Sequence, residues 1–238
     1  MKYVRGYRPH LALLTTLFVM MAIGTACASP TYSLAYSPTP YLRDDPTEYY
    51  LYLPGNYSPD REWPMFVGIH GFGGSGRDCL SMWQAYADQE GFVLVCPSLA
   101  DEGGGWYPDE GDAVLIRILQ QVAQECRVQK RIFLTGFSAG ATFVQGSAFT
   151  HPDWVAAVAT LSAGNYYEPA SQAQGVIFLV VIGDRDNPVG IQGAESFTQA
   201  LKQGGFSAEL HVLPGVGHTV STEAKELTIK LFERLFRN

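Results

Sequence analysis

The 238 residues carry 47% hydrophobic and 16% charged side chains, a globular balance that excludes a disordered or low-complexity chain. That length suits one large α/β unit. A net charge of −7 and a pI near 5.2 argue against nucleic acid as a partner.

The first 28 residues read as a secretory signal peptide. Lys2, Arg5 and Arg8 make a basic start, Leu11 to Ile23 is an apolar stretch of 13 residues, and Ala26-Cys27-Ala28 offers a small-residue cleavage site. Thirteen residues are too few to span a bilayer comfortably. Two alternatives stay open: an uncleaved membrane anchor, and a lipid anchor on Cys27. Ile23-Gly24-Thr25-Ala26 precedes that cysteine in the manner of a degenerate bacterial lipobox, without the usual Leu. The expected location is therefore secreted or periplasmic, with any membrane contact made through Cys27. Once the leader is removed, 13 Lys and Arg against 23 Asp and Glu leave a charge of −10. Export would permit a disulfide among Cys79, Cys96 and Cys126, but the odd count leaves one thiol over and the pair is not specified. With no Cys-x-x-Cys and no His-rich cluster, no zinc site is expected.

Ser29 to about Pro46 is rich in Pro, Ser, Thr and Tyr and reads as a linker or an N-terminal extension hugging a sheet edge. The domain proper is expected over 48–238. "EYYLYLP" (48–54) alternates like a strand. "MFVGIHG" (65–71), "FVLVCP" (92–97), "RIFLTG" (131–136), "WVAAVATLS" (154–162) and "GVIFLVVIGD" (175–184) are short and apolar throughout, as buried strands of a parallel sheet are. "AELHVLPG" (208–215) is the expected last strand. Helical patterns lie between them at about 77–90, 109–126, 139–150, 191–203 and 221–236. In the last, Val220, Ala224, Leu227, Leu231 and Leu235 make one apolar stripe. The alternation predicts a mostly parallel, doubly wound α/β sheet flanked by helices.

Two glycine-rich turns carry the chemistry. In Gly136-Phe137-Ser138-Ala139-Gly140 a serine stands between two glycines where a strand becomes a helix. The pattern alone is weak, since roughly one random chain in ten of this length contains it at about 7% usage per residue. Its placement makes it a nucleophile elbow: a Cβ at either glycine would crowd the adjacent strand and helix, and the Ser138 hydroxyl is lifted clear of the sheet. The N–H of Ala139, at the helix start, then faces any oxyanion formed there. The bland alternative is a tight turn whose serine caps the helix. The second turn, His70-Gly71-Phe72-Gly73-Gly74, has the form of an oxyanion-hole loop, with the Phe72 N–H as the other donor. It lacks the Lys of a phosphate-binding loop.

With "HGFGGSGRD", "ADQEGFVLVCP", "RIFLTGFSAGA" and the late "GVGH" in place, the chain resembles the α/β-hydrolase superfamily over about residues 48–236. Within it the chain is similar to secreted esterases of the polyhydroxybutyrate depolymerase and feruloyl esterase group. Dienelactone-hydrolase-like and phospholipase/carboxylesterase-like groups share the same landmarks. The resemblance implies the order Ser, acid, His. His218, on a loop between the last strand and the final helix, stands where such proteins keep their base. His10 falls in the leader, His70 and His151 precede any candidate acid, and His211 sits within a strand. Matching Gly183 of "VVIGDRDNPVG" to the superfamily pattern puts the acid at Asp186, with Asp184 and the remoter Glu168 as alternatives; Ile182 stands where a His is common.

The implied reaction is hydrolysis of a carboxylic ester through an acyl-enzyme on Ser138, with no metal or organic cofactor. The short gap between the sixth and seventh strands leaves no room for a large lid, which suits exposed short-chain, aromatic or polymer-derived esters. Trp106, Tyr107, Tyr166 and Tyr167 follow strand ends and are candidates for an aromatic substrate rim, or pack their loops together instead. Asp109 and Asp112 are expected to cap the helix after them. Two other functions compete: a peptidase or amidase on the same residues, and a silent surface-binding protein that keeps the fold. The oligomeric state is open.

Overall fold

The computed structural model describes residues 32–37, 47–99 and 108–237. The proposed leader, Trp106 and Tyr107 lie outside them. Eight strands form one sheet among the described residues: β1 (Tyr32–Ser37), β2 (Thr47–Tyr52), β3 (Met65–Ile69), β4 (Val93–Pro97), β5 (Ile132–Phe137), β6 (Val155–Leu161), β7 (Ile177–Gly183) and β8 (Ala208–Leu213). Five helices join them: α1 (Gly76–Glu90), α2 (Pro108–Glu125), α3 (Ala139–Thr150), α4 (Pro188–Gln203) and α5 (Thr222–Phe236).

The spatial order is β1-β2-β4-β3-β5-β6-β7-β8. β1 and β2 pair antiparallel, β2 runs antiparallel to β4, and every later pairing is parallel. The central strands are apolar along their whole length because both faces are covered. All five residues of β3 and of β4 are buried. Residues of α1 and α5, such as Trp83 and Phe232, pack on one face with Phe66, Phe92 and Phe133. Residues of α2, α3 and α4, such as Ile118, Phe149 and Phe197, pack on the other with Val67, Leu134 and Phe178. The alternation of "EYYLYLP" divides its side chains between these two cores, Tyr49 and Leu51 on one face, Tyr50 and Tyr52 on the other.

Part of the segment expected as a linker or an edge-hugging extension forms strand β1, at the edge of the sheet and paired with β2 in the register Tyr32 to Tyr52. Cys79 of α1 is bonded to Cys96 of β4, while Cys126 is a buried free thiol. Gly68 of β3 makes room for that bond, since a Cβ there would lie 2.4 Å from the Cys79 sulfur. Between β6 and β7 the chain forms only one short 3-10 turn, Ser171–Ala173, with no helical lid. Among the described residues no helix is long and apolar enough to cross a membrane.

From β3 the chain winds to β4 on one side and then crosses to β5 on the other. The loops after β3 and β5 therefore diverge at the carboxyl edge of adjacent strands, which is where open α/β sheets form their binding crevice.

Candidate active site

Ser138 leaves β5 at φ 54 and ψ −117, a conformation that strains an L residue. The glycines around it are steric necessities. A Cβ on Gly136 would lie 2.2 Å from the carbonyl oxygen of Gly140, and one on Gly140 would lie 2.3 Å from that of His70. The turn is thus wedged between the first turn of α3 and the end of β3, as the motif predicts. Ser138 is the residue before the first turn of α3, yet its side chain makes no capping hydrogen bond. The capping alternative therefore fails: the hydroxyl lies 2.9 Å from Nε2 of His218.

His218 reaches across from the loop between β8 and α5. Its Nδ1 lies 2.9 and 3.1 Å from the two carboxylate oxygens of Asp186. Asp186 is held by the turn after β7, where its N–H donates to the Gly183 carbonyl and the Asn187 N–H donates to its Oδ1 at 2.7 Å. The geometry selects one tautomer: Nδ1–H donates to the carboxylate and Nε2 accepts from the serine. The carboxylate is nearly sealed from solvent while the imidazole is 48% exposed. Asp184 instead accepts from the Gly215 N–H at 2.6 Å and ties the two loops together, the turn role expected of it. Glu168 lies exposed on the loop after β6. Gly183 is what lets the β7 turn meet the histidine loop, because a Cβ there would lie 1.9 Å from the Val216 carbonyl oxygen.

On the other side of Ser138, a Cβ on Gly71 would come 3.3 Å from the serine Cβ, so the turn carrying Phe72 lies directly against the nucleophile. That turn is closed by the Gly74 N–H on the Gly71 carbonyl, with Gly73 at φ 72. Ala139 begins α3, where an N–H has no partner within the helix. The turn after β3 and the first turn of α3 therefore both adjoin the serine. Tyr166 sits against Phe197 with its hydroxyl buried and without a hydrogen-bond partner among the described residues. Burial, with the nearby Asp186 charge, holds its phenol above the ordinary tyrosine range. It supports the loop rather than projecting into solvent, whereas Tyr167 is exposed.

Two contacts escape a motif reading. The Phe137 ring lies 5.0 Å from that of His218, centroid to centroid, and covers one side of the imidazole. An aromatic at the second position of the elbow was the available signal. His70 is buried, with Nδ1 2.7 Å from the Gly71 carbonyl and Nε2 accepting from the Leu99 N–H at 3.0 Å. Burial keeps this ring neutral by lowering its pKa, and the two bonds anchor the Phe72 loop to the end of β4. Asp112 does not cap α2: it accepts from Ser147 Oγ and pairs with His151 Nε2, both at 2.7 Å, linking α2 to α3.

Known proteins share this arrangement of elements. The chain is 26% identical over 153 residues to the bifunctional acetylxylan esterase/xylanase of Neocallimastix patriciarum, an overlap of 62% of this chain and 22% of that protein. It is 30% identical over 125 residues to feruloyl esterase B of Thermothelomyces thermophilus, covering 46% and 42%. The chain thus spans less than half the length of these curated relatives. A ferulic acid esterase from Anaeromyces mucronatus, solved with ferulic acid, superposes with a TM-score of 0.69 at 15% identity over 91% of this chain and 93% of that one, a likeness of fold. The sequence profile of the dienelactone hydrolase family matches residues 49–230. A mostly parallel sheet with an elbow serine at its switch point and this match over most of the domain place the chain in the dienelactone hydrolase family, with an α/β-hydrolase fold.

Proposed function

We propose that the chain is a carboxylic ester hydrolase working through Ser138, His218 and Asp186. The observation that carries this reading is the continuous bridge from Ser138 Oγ to His218 Nε2, 2.9 Å, and from His218 Nδ1 to a buried carboxylate. In the reaction, Nε2 takes the hydroxyl proton as Oγ attacks the ester carbonyl. The N–H groups of Phe72 and Ala139 hold the oxyanion; one such donor is typically worth about 10²–10³ in rate. The imidazolium gives its proton to the departing alcohol. Water, deprotonated by the same Nε2, then releases the acid from Ser138. Asp186 fixes the tautomer and stabilises the imidazolium without taking its proton.

The relatives named for acetylxylan and feruloyl esters support an ester of a small or aromatic acid as substrate, attached to a polymer or free. The Cys79–Cys96 bond supports the exported location that the N-terminal residues imply. The test is turnover of a p-nitrophenyl ester series by the full chain and by Ser138→Ala, with a fluorophosphonate probe alongside. Ester turnover and labelling that both vanish in the variant are expected. Labelled but ester-inactive protein would move the reading to a peptidase; folded protein that does neither would make it a silent scaffold.

A further inference from the structure

Strand β8 ends the sheet, and among the described residues no strand pairs with its outer edge. Its phase is fixed on the inner side. The Phe178 N–H donates to the Ser207 carbonyl and the Asp184 N–H to the Leu213 carbonyl, both at 2.9 Å. With the register unbroken from Ala208 to Leu213, the odd-numbered residues of β8 turn their N–H and C=O groups toward β7. Ala208, Leu210 and Val212 therefore turn theirs outward. Such a free row is a template for another strand, and edges not meant to pair are commonly blunted by lysine, proline or a bulge. β8 reads Ala-Glu-Leu-His-Val-Leu, without lysine, proline or a shift in register.

The side chains of this edge form two sets. Ala208 and Leu210 lie against the core that α4 covers. Val212, on the same face, is 37% exposed, one of four large apolar side chains left open among the described residues. Glu209 and His211 stand on the α5 face. His211 Nε2 lies 3.7 Å from Glu209 Oε2, and Arg234 of α5 donates to Glu209 Oε1 at 2.9 Å. The one carboxylate of the strand is already paired, which weakens its repulsion of a strand of the same sequence.

We propose that this edge takes a second copy of the chain, the two β8 strands pairing antiparallel about Leu210 and joining the sheets of both protomers into one. A two-fold axis makes the paired strands antiparallel, and the strand's own sequence selects the register. Only residues with outward N–H and C=O groups exchange hydrogen bonds, so Ala208, Leu210 and Val212 must meet one another. Centred on Leu210, that residue faces its own copy and Ala208 faces the partner's Val212. Every outward group is then used and the exposed valine is covered. Glu209 stands opposite the partner's His211, twice over, with Cβ atoms about 4.5–5.5 Å apart, carboxylate acceptor against ring donor. A register centred on Glu209 would set carboxylate against carboxylate. One centred on His211 would set Pro214, which has no N–H, opposite Ala208. Because the paired strands run in opposite directions, the two Ser138 sites open at opposite ends of the joined sheet. The inference is independent of the ester-hydrolase reading.

The test is sedimentation equilibrium of the purified chain over a dilution series, beside Val212→Pro and Val212→Lys. Proline at 212 removes an outward N–H and leaves the ladder to β7 intact, while lysine places a charge on the open edge. Wild type should sediment at twice the monomer mass, and both variants, each checked for a cooperative unfolding transition, as monomers. Single cysteines read the register under oxidising conditions. Leu210→Cys should cross-link to its own copy, since facing Cα atoms lie about 5.5 Å apart, within the span of a disulfide. Glu209→Cys and His211→Cys, each set diagonally to its copy, should cross-link at least about tenfold less. Three results would each overturn the proposal: wild type monomeric throughout the series, cross-linking strongest at 209 or 211, or a dimer that persists in folded Val212→Pro. If the proline variant fails to fold, Val212→Lys decides in its place.

Discussion

A serine at φ 54 is held where an L residue costs about 1–3 kcal/mol relative to glycine, and the wedge of Gly136 and Gly140 is what holds it. Two substitutions at Ser138 therefore separate chemistry from stability. Ser138→Ala should abolish turnover by at least about 10³-fold while keeping the strain. Ser138→Gly should be equally inactive but more resistant to thermal unfolding, by about 1 kcal/mol after glycine's extra chain entropy is subtracted. A glycine variant less stable than the alanine variant would show that the turn is not strained. Phe137 makes a second residue-scale prediction. His218 is pinned by hydrogen bonds at both nitrogens, but its exposed ring has Phe137 against one side. Phe137→Leu should lower kcat/KM about 2–10-fold, and Phe137→Tyr should restore it, because ring contacts of this kind are worth about 0.5–1.5 kcal/mol. At Tyr166 the hydroxyl is buried without a partner. Tyr166→Phe should raise the urea midpoint, by about 1 kcal/mol of stability, since a buried orphan hydroxyl costs about that much or more.

At the scale of elements, what the chain spells locally was legible and what it specifies through distant partners was not. The strands β3 to β7 announce themselves because burial on both faces demands unbroken apolar runs, and each ends in a glycine or polar turn. The elbow was legible for the same reason: Gly136, Ser138 and Gly140 are constrained by atoms a few residues away or at the end of one neighbouring strand. Strand β1 has no such signature. Its Tyr-Ser-Leu-Ala-Tyr-Ser lies among prolines and serines, and only pairing with β2, ten or more residues on, makes it a strand. Asp112 likewise looked like a cap, whereas its partners are Ser147 on another helix and His151 just past that helix's end. The disulfide belongs to this class too. Three cysteines allow three pairs, and the packing of α1 on β4 selects Cys79 with Cys96, 17 positions apart. Closing a loop of that size restricts the unfolded chain by about 3 kcal/mol. Cys79→Ala with Cys96→Ala should lose about 2–4 kcal/mol in urea unfolding, while the single variant Cys126→Ala should change stability much less.

At the scale of the whole molecule, the sheet's switch point puts two loops of opposite winding beside one serine, and His70 couples that point to the β4 side. Its ring accepts the Leu99 N–H and donates to the Gly71 carbonyl, an arrangement that requires the neutral form. Burial lowers its folded pKa below the unfolded value near 6.5. Above about pH 6.5 neither state binds the proton, and the full stability is present. As the pH falls below that value, the unfolded chain takes up a proton that the folded one refuses, so stability declines until the folded pKa is reached. One such group contributes a slope of at most about 1.4 kcal/mol per pH unit. His70→Gln, which keeps an acceptor for Leu99 but cannot titrate, should flatten the dependence of the urea midpoint between about pH 6.5 and 5 relative to wild type. Carboxylates titrate identically in both proteins, so the difference between the two curves isolates His70. Parallel curves would mean that the ring is protonated in the fold, and that the loop carrying Phe72 is anchored by something other than a neutral histidine.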